Sequence, residues 1–222
     1  MLSGVGVAFK LVMALEGENC DVSSLLDNYS DLLCIGTVGD IVELKSENRV
    51  FVKRGLVNIQ ESDRAGINAL IETAGIAGKK ITSGNVSFTL VPRINAVGRL
   101  GFSGKSVSLL LTDDENEAMS IAKQLNEDNN ERKEIEKNIL MKIDEMVKAN
   151  PHITNDRVLV IDGEGWHQGV IGIVAAKVKE FFGKPTVVIS RDGEEAKGSG
   201  RSVEGFSLCD AVFACSDLLT HC

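Results

Sequence analysis

Apolar residues in the first half of the chain recur at intervals of three and four positions, the spacing of amphipathic helices. The pattern predicts helices over residues 7–16, 47–59 and 65–74, and a longer buried segment over residues 24–44. Asp63 is placed to cap the third helix, and Gly75 to end it. Residues 83–90 favour a short strand, and Pro92 indicates a loop after it. We therefore expect residues 1–112 to be mostly helical.

The middle of the chain predicts one long charged helix from Asp114 to about Ala149. Its apolar stripe is narrow, and such a helix often bridges two domains. The Asn150-Pro151 step ends it.

The last part has a different pattern. Two continuous apolar runs, residues 158–161 and 186–189, predict buried strands, with a helix over residues 170–182 between them. This order implies parallel strands joined by a right-handed crossover. A Gly/Ser-rich stretch (194–202) and a helix (208–219) follow. The expected fold class is α/β: a mostly helical part (1–112), a connecting helix (113–151) and a small α/β domain with a mixed sheet (152–222).

Composition narrows the class of protein. The net charge of −8 argues against a generally basic nucleic-acid-binding surface, although a local basic groove is compatible with it. No apolar run reaches the roughly 20 residues that span a bilayer, and no secretory leader is recognisable. The five scattered cysteines indicate reduced, mostly buried thiols and no zinc site. We therefore expect a cytoplasmic protein without a membrane partner.

Asp40 is the first candidate for chemistry. It lies in an apolar, glycine-containing segment, where a lone carboxylate is costly to bury unless it is paired or bound to a metal. One interpretation is a ligand for a divalent cation. The alternative is an Asp at a helix end that pairs with Lys45 or Arg49, and the pattern alone favours this alternative.

A second candidate group is Arg93, Asn95 and Arg99, which surround a glycine in residues 92–99. Arginine presents a planar fork of donors that matches phosphate, so the group suggests anion binding. Ion pairs with the acidic long helix are an equally good interpretation.

The third candidate group is Trp166, His167 and Gly169, directly before a predicted helix. Backbone amides at a helix N-terminus bind anions, and the single Trp could stack on a nucleobase. The alternative is a buried Trp whose neighbours cap the helix.

The fourth group is Ser199, Gly200 and Arg201 in the Gly/Ser-rich stretch. Hydroxyls, amides and a cation together can hold a phosphate, whereas the alternative is a plain hairpin edge.

These segments occur in an order that resembles the RecJ family of single-strand-specific DNA exonucleases, in the DHH phosphoesterase superfamily. The matching segments are Gly-Val-Gly-Val-Ala-Phe-Lys at 4–10, Gly-Thr-Val-Gly-Asp at 36–40, Glu-Asn-Arg at 47–49, Pro-Arg-Ile-Asn-Ala-Val-Gly-Arg at 92–99, Trp-His-Gln-Gly-Val-Ile-Gly-Ile-Val-Ala at 166–175 and Gly-Ser-Gly-Arg-Ser at 198–202. Two positions depart from the family pattern: Gly39 replaces an alanine, and Gln168 replaces a proline.

The resemblance implies an internal fragment. The Asp-His-His motif of the family lies upstream of the first segment and its Gly-Gly-His motif follows the last, and neither is present. The three parts then correspond to the end of the DHH catalytic domain, the connecting helix and a truncated DHH-associated domain that binds nucleic acid.

The resemblance also implies residue roles. Asp40 matches a metal-binding aspartate, and Ser199 and Arg201, around Gly200, match positions that hold the DNA backbone. The Arg93, Asn95 and Arg99 group matches a loop facing the cleft, and the Trp166, His167 and Gly169 group matches the cleft motif of the small domain.

The implied activity is 5′-to-3′ hydrolysis of single-stranded DNA with Mn²⁺ or Mg²⁺, in DNA repair and recombination. The expected partners are single-stranded DNA and other repair or replication proteins. With one aspartate, this chain alone is expected to bind single strands weakly and to hydrolyse nothing. The alternatives are a DHH phosphodiesterase of short oligonucleotides or cyclic dinucleotides, and a non-catalytic replication scaffold.

Overall fold

The structure is a computed structural model that describes residues 1–101 and 104–220. The described elements are mostly helices, with a small three-stranded sheet in the last third of the chain. The helices are α1 (Gly4–Glu16), α2 (Val22–Gly39), α3 (Ser46–Gln60), α4 (Ala65–Thr73), α5 (Ser83–Asn85), α6 (Val91–Leu100), α7 (Gly104–Leu111), α8 (Glu115–Ala149), α9 (Gln168–Phe182) and α10 (Leu208–Phe213); the strands are β1 (Leu159–Glu164), β2 (Thr186–Asp192) and β3 (Glu195–Arg201). A π-helix (Val86–Leu90) joins α5 to α6, and 3₁₀ helices cover Pro151–Asn155 and Ser216–Leu218.

The chain divides into two compact units, residues 1–130 and 131–222. The boundary falls inside α8, so the predicted three-part division remains a prediction. The first half of α8 contributes Ala118, Ala122 and Leu125 to the core of the first unit. Its second half contributes Ile139 and Ile143 to the core of the second unit. The predicted long helix is therefore confirmed in extent, and each half of it is packed in a core.

The segment over residues 83–100 corrects two predictions. The expected strand over residues 83–90 is helical, and the expected loop over residues 92–99 is the helix α6. Thr82 begins the segment with a capping box, since its side chain accepts from the Asn85 amide while the Asn85 side chain accepts from the Thr82 amide.

Pro92 follows a widened turn in this segment. The Val91 amide donates five residues back, to the Val86 carbonyl, as in a π-helix. Pro92 has no amide hydrogen and its ring would crowd the carbonyl four residues earlier, so a widened turn before it accommodates the ring. A third expectation is also wrong, because the α4 N-cap is Arg64 and no side-chain capping bond is made, by Asp63 or otherwise.

The sheet of the second unit has the strand order β1-β2-β3. β1 and β2 pair in parallel with α9 between them in sequence, as predicted, and β3 pairs antiparallel with β2. The sheet is therefore mixed. Its core joins Leu159, Ile161 and Val188 of the strands to apolar residues of α9. No helix within the described residues is both long enough and apolar enough to cross a bilayer.

Candidate metal and nucleic-acid site

Asp40 lies at the end of α2, where it is the C-cap residue and is exposed. Its amide donates to the Gly36 carbonyl at 3.0 Å. The next residue, Ile41, has φ of 56°, a left-handed conformation that a β-branched residue seldom adopts. Such strain costs on the order of 1–3 kcal/mol and is found preferentially at functional sites. The chain therefore turns sharply away directly after the Asp40 carboxylate.

The ion-pair interpretation of Asp40 does not hold in the structure. Lys45 Nζ lies 2.9 Å from Glu43 Oε2 instead. Within residues 1–101 and 104–220, no ion pair or hydrogen bond involves the Asp40 carboxylate. Its oxygens are therefore available to an external cation.

A pocket of about 330 Å³ brings Asp40 together with Asn95 of α6. Its other lining residues are Ile35, Gly36, Gly39, Val91 and Ile94. A Cβ on Gly39 would lie 3.2 Å from Val91 Cγ1, so α2 and α6 approach closely beside Asp40. Two of the candidate site residues, distant in sequence, thus share one pocket.

The pocket suits a hard cation in chemistry but offers few ligands. Carboxylate and amide oxygens are what Mg²⁺ and Mn²⁺ prefer. Among the described residues, no group of three or more His, Cys, Asp or Glu side chains could hold a metal ion. Asp40, with Asn95 beside it, would therefore supply part of a coordination shell.

Arg93 is held by the first unit itself. Its Nε donates to Asn126 Oδ1 of α8 at 3.0 Å, and its Nη1 donates to the Thr89 carbonyl at 2.6 Å. Partial burial lowers the pKa of the guanidinium below its ordinary value. This contact with the long helix is a hydrogen bond to a neutral amide and not the expected ion pair with a carboxylate. Asn95 and Arg99 are exposed on the same helix.

In the second unit, His167 is the N-cap of α9. Its Nδ1 accepts from the Gly169 amide at 3.1 Å, and its carbonyl accepts from the Val170 amide at 2.9 Å. The Gly169 amide is thus directed at the imidazole ring, which satisfies one donor of the first turn. For His167 and Gly169, the structure therefore shows the alternative interpretation, in which the neighbours of the Trp cap the helix.

Trp166 is a core residue, which corrects the expectation of base stacking. The residue is 5% exposed and packs in the apolar core of the second unit. A Cβ on Gly163 would lie 2.1 Å from Trp166 Cε2, so the indole lies against bare backbone. The ring has no open face for a nucleobase, and it supports the loop that carries His167.

Ser199 and Arg201 meet α9 at Gly172. Both residues lie on β3, two positions apart, and therefore on one face of the sheet. A Cβ on Gly172 would lie 2.9 Å from Ser199 Oγ and 3.2 Å from Arg201 Nη2. Arg201 Nη1 donates to the Gly200 carbonyl at 2.7 Å and reaches Ser199 Oγ at 3.4 Å. A hydroxyl and a guanidinium are thus held together beside the first turns of α9.

Sequence reasoning did not single out two residues of these arrangements. Gly172 leaves room for Ser199 and Arg201, because a Cβ there would lie in close contact with the ends of both side chains. Its three-residue spacing from Gly169, which puts both glycines on one helix face, was the available signal. Asn126, the partner of Arg93, gave no signal, because a polar residue on a charged helix is ordinary.

Comparisons with known proteins agree with these observations. Residues 155–219 match the model of the DHHA1 domain. The single-stranded-DNA-specific exonuclease RecJ of Bacillus subtilis is 38% identical over 222 residues, which are 99% of this chain and 27% of the relative. The enzyme of the same name from Escherichia coli is 35% identical and is matched over 95% of this chain and 39% of its own length.

Solved structures give the same result at the level of the fold. The crystal structure of RecJ from Thermus thermophilus in complex with Mn²⁺ superposes with a TM-score of 0.84 at 34% identity, over 98% of this chain and 32% of that one. A second crystal structure of that protein, in complex with Mg²⁺, gives a TM-score of 0.82 at 32% identity, over 98% of this chain and 33% of the other. The chain thus spans about a third of the length of these relatives, and over nearly all of its own length it is similar to RecJ.

Proposed function

We propose that this chain supplies one metal-binding carboxylate and a set of phosphate contacts to a single-stranded-DNA-specific exonuclease that works in the 5′-to-3′ direction. The observation that carries the proposal is the pocket shared by Asp40 and Asn95. It combines an unpaired carboxylate, strained backbone at Ile41 and closely packed glycine backbone. The names of the relatives and neighbours support the substrate and the metals, Mn²⁺ or Mg²⁺.

A divalent ion bound at such a site would activate a water molecule and stabilise the charge that develops on phosphate. The role of Asp40 is to hold the ion on the exposed side of α2, and Asn95 adds a neutral oxygen beside it. The remaining ligands belong, in this proposal, to the part of the relatives' length that this chain does not span.

The second unit contributes strand binding in this proposal. The Ser199 hydroxyl and the Arg201 guanidinium offer donors that match one phosphate group, and phosphate contacts set the register of a strand without reading its sequence. Because the net charge is −8, we expect the chain to bind a DNA strand only where local positive charge offsets the overall repulsion.

The biological setting is proposed from the similarity to RecJ alone. We place the protein in DNA repair and recombination, in the cytoplasm, with single-stranded DNA as its partner and other repair or replication proteins beside it.

The test is a fluorescence-anisotropy titration of a labelled single-stranded oligonucleotide at several salt concentrations. The titration compares the unaltered chain with two variants, Arg201→Ala and Arg157→Ala. Both variants lose one arginine charge. Arg157 is a suitable control because it is exposed and lies outside the Ser199–Arg201 group. We expect Arg201→Ala to lower the slope of log affinity against log salt by about 0.7, the value of one phosphate contact on a single strand. Arg157→Ala should leave the slope unchanged.

A companion assay incubates the chain with a 5′-labelled oligonucleotide and Mn²⁺. We expect no cleavage, because Asp40 alone cannot complete a metal centre. Metal-dependent degradation by the purified chain would contradict the division of roles proposed above, and equal slopes for both arginine variants would contradict the phosphate contact at Arg201.

A further inference from the structure

A large exposed aromatic side chain stands three residues before Val91, which lines the Asp40 pocket, and it is not one of the core residues. Phe88 is 82% exposed, on the π-helix that leads into α6. Widened helical turns of this kind are rare and occur frequently at functional sites. An isolated exposed apolar residue needs no explanation by itself, so the case depends on where Phe88 lies.

Phe88 stands on the widened turn that leads into one wall of the pocket. Val91, Ile94 and Asn95 contribute to the pocket wall, and Phe88 precedes Val91 by three positions. Three helical residues rise at most about 4.5 Å, so the backbone of Phe88 lies within one turn of the pocket wall. A strand whose phosphate occupies the Asp40 pocket therefore has a base within reach of Phe88.

The sequence on either side of Phe88 carries only basic charges, which suits a polyanion. Between Thr73 and Thr112 the sequence has no Asp or Glu, although the whole chain carries a net charge of −8. The charged residues of this stretch are all basic: Lys79, Lys80, Arg93, Arg99 and Lys105. An exposed aromatic ring in a cationic segment is the combination that single-strand-binding proteins use to stack bases and contact the backbone.

We propose that Phe88 stacks on a nucleobase of the bound single strand and so positions the strand at the Asp40 pocket. The proposal rests on the proposed function, because it assumes a single strand as ligand. Phe88 is a positioning residue in this role and takes no part in the chemistry. Stacking accepts every base, since each has a π-face, so this contact adds affinity without sequence preference.

The test compares Phe88→Ala and Phe88→Trp with a matched control, Phe181→Ala. Phe181 is also 82% exposed, but it lies on α9 and contacts Phe182 edge-on. Each protein is titrated with labelled oligodeoxythymidine and with a strand of equal length that has abasic sites. The two strands carry the same phosphates and differ only in their bases.

We expect Phe88→Ala to weaken binding of oligodeoxythymidine by roughly five- to a hundredfold, the effect of stacking on one base. Phe88→Trp should bind at least as tightly as the unaltered chain, and Phe181→Ala should bind equally well. On the abasic strand the loss in Phe88→Ala should disappear. The salt slope should be the same in all variants, because stacking releases no counterions.

Two outcomes overturn the proposal and are distinguishable. If the unaltered chain binds neither strand, single-strand binding by this chain fails and the stacking role fails with it. If it binds with a salt-dependent affinity but Phe88→Ala behaves like Phe181→Ala on both strands, the proposed function stands and Phe88 is not a stacking residue. Quenching of 2-aminopurine in the strand by the chain, lost only in Phe88→Ala, is an independent readout of the same contact.

Discussion

The cysteine side chains of this molecule differ in their exposure to solvent. The expectation of mostly buried cysteines is wrong for the described part of the chain: Cys34 is buried, Cys20 is half-buried, and Cys209 and Cys215 are exposed. Burial, together with the negative charge of Asp31, raises the pKa of the Cys34 thiol to about 12. A thiol in this environment is protonated and unreactive at neutral pH.

The raised pKa of the Cys34 thiol predicts that the protein loses stability at high pH. The folded pKa lies above the ordinary value of 9.0, so above pH 9 the unfolded chain releases a proton that the folded chain keeps. The free energy of unfolding should therefore be unaffected by this group below pH 9 and fall between pH 9 and 12, by at most about 1.4 kcal/mol per pH unit. Urea titrations across this range measure the slope. Cys34→Ala should lack this component, and an unchanged slope in that variant would show that other groups cause it.

At the scale of elements, glycines set how closely helices approach. A Cβ on Gly55 of α3 would lie 2.0 Å from the Ser30 carbonyl oxygen and 2.4 Å from Cys34 Cβ of α2. The two helices are therefore in backbone contact at this point. By contrast, a Cβ on Gly98 of α6 would meet no atom within 4 Å.

These two glycines predict opposite effects of the same substitution. Gly55→Ala should lower the free energy of unfolding by about 1–3 kcal/mol or more, because the added methyl forces α2 and α3 apart. Gly98→Ala should raise it by about 0.5–1 kcal/mol, because alanine loses less backbone entropy in a helix. Urea unfolding followed by far-UV circular dichroism measures both, and a destabilising Gly98→Ala would contradict the open surface at α6.

The helical segment over residues 83–100 shows why element prediction failed there. Its β-branched residues and Pro92 locally favour strand and loop. The Thr82–Asn85 capping box starts a helix, and burial of Val86, Leu90 and Val97 stabilises it. Packing of this kind overrides local propensity.

At the scale of the whole molecule, each compact unit has its own core and its own probe. Trp166, the single Trp, lies in the core of the second unit. Cys34 lies in the core of the first unit. Fluorescence therefore follows one unit and thiol labelling the other.

We expect the two probes to respond differently to the Gly55→Ala substitution. The urea concentration at which Cys34 becomes labelled should fall, whereas the midpoint of the Trp166 fluorescence change should stay near that of the unaltered chain. Labelling must be performed with the other cysteines replaced by serine, so that only the buried thiol reports. Equal shifts of both midpoints would show that the units unfold as one cooperative structure.

The sequence by itself determined the resemblance to RecJ, the long helix α8, the βαβ order and the candidate residues, because hydrophobic spacing and glycine-rich motifs are local properties of the chain. Tertiary structure alone decided which candidates meet. Asp40 and Asn95 share a pocket because α2 packs against α6, and Ser199 and Arg201 meet Gly172 because β3 lies beside α9. Trp166 is a core residue for the same reason. Whether a side chain is buried depends on the elements that pack around it, and neither the residue type nor the sequence spacing specifies those elements.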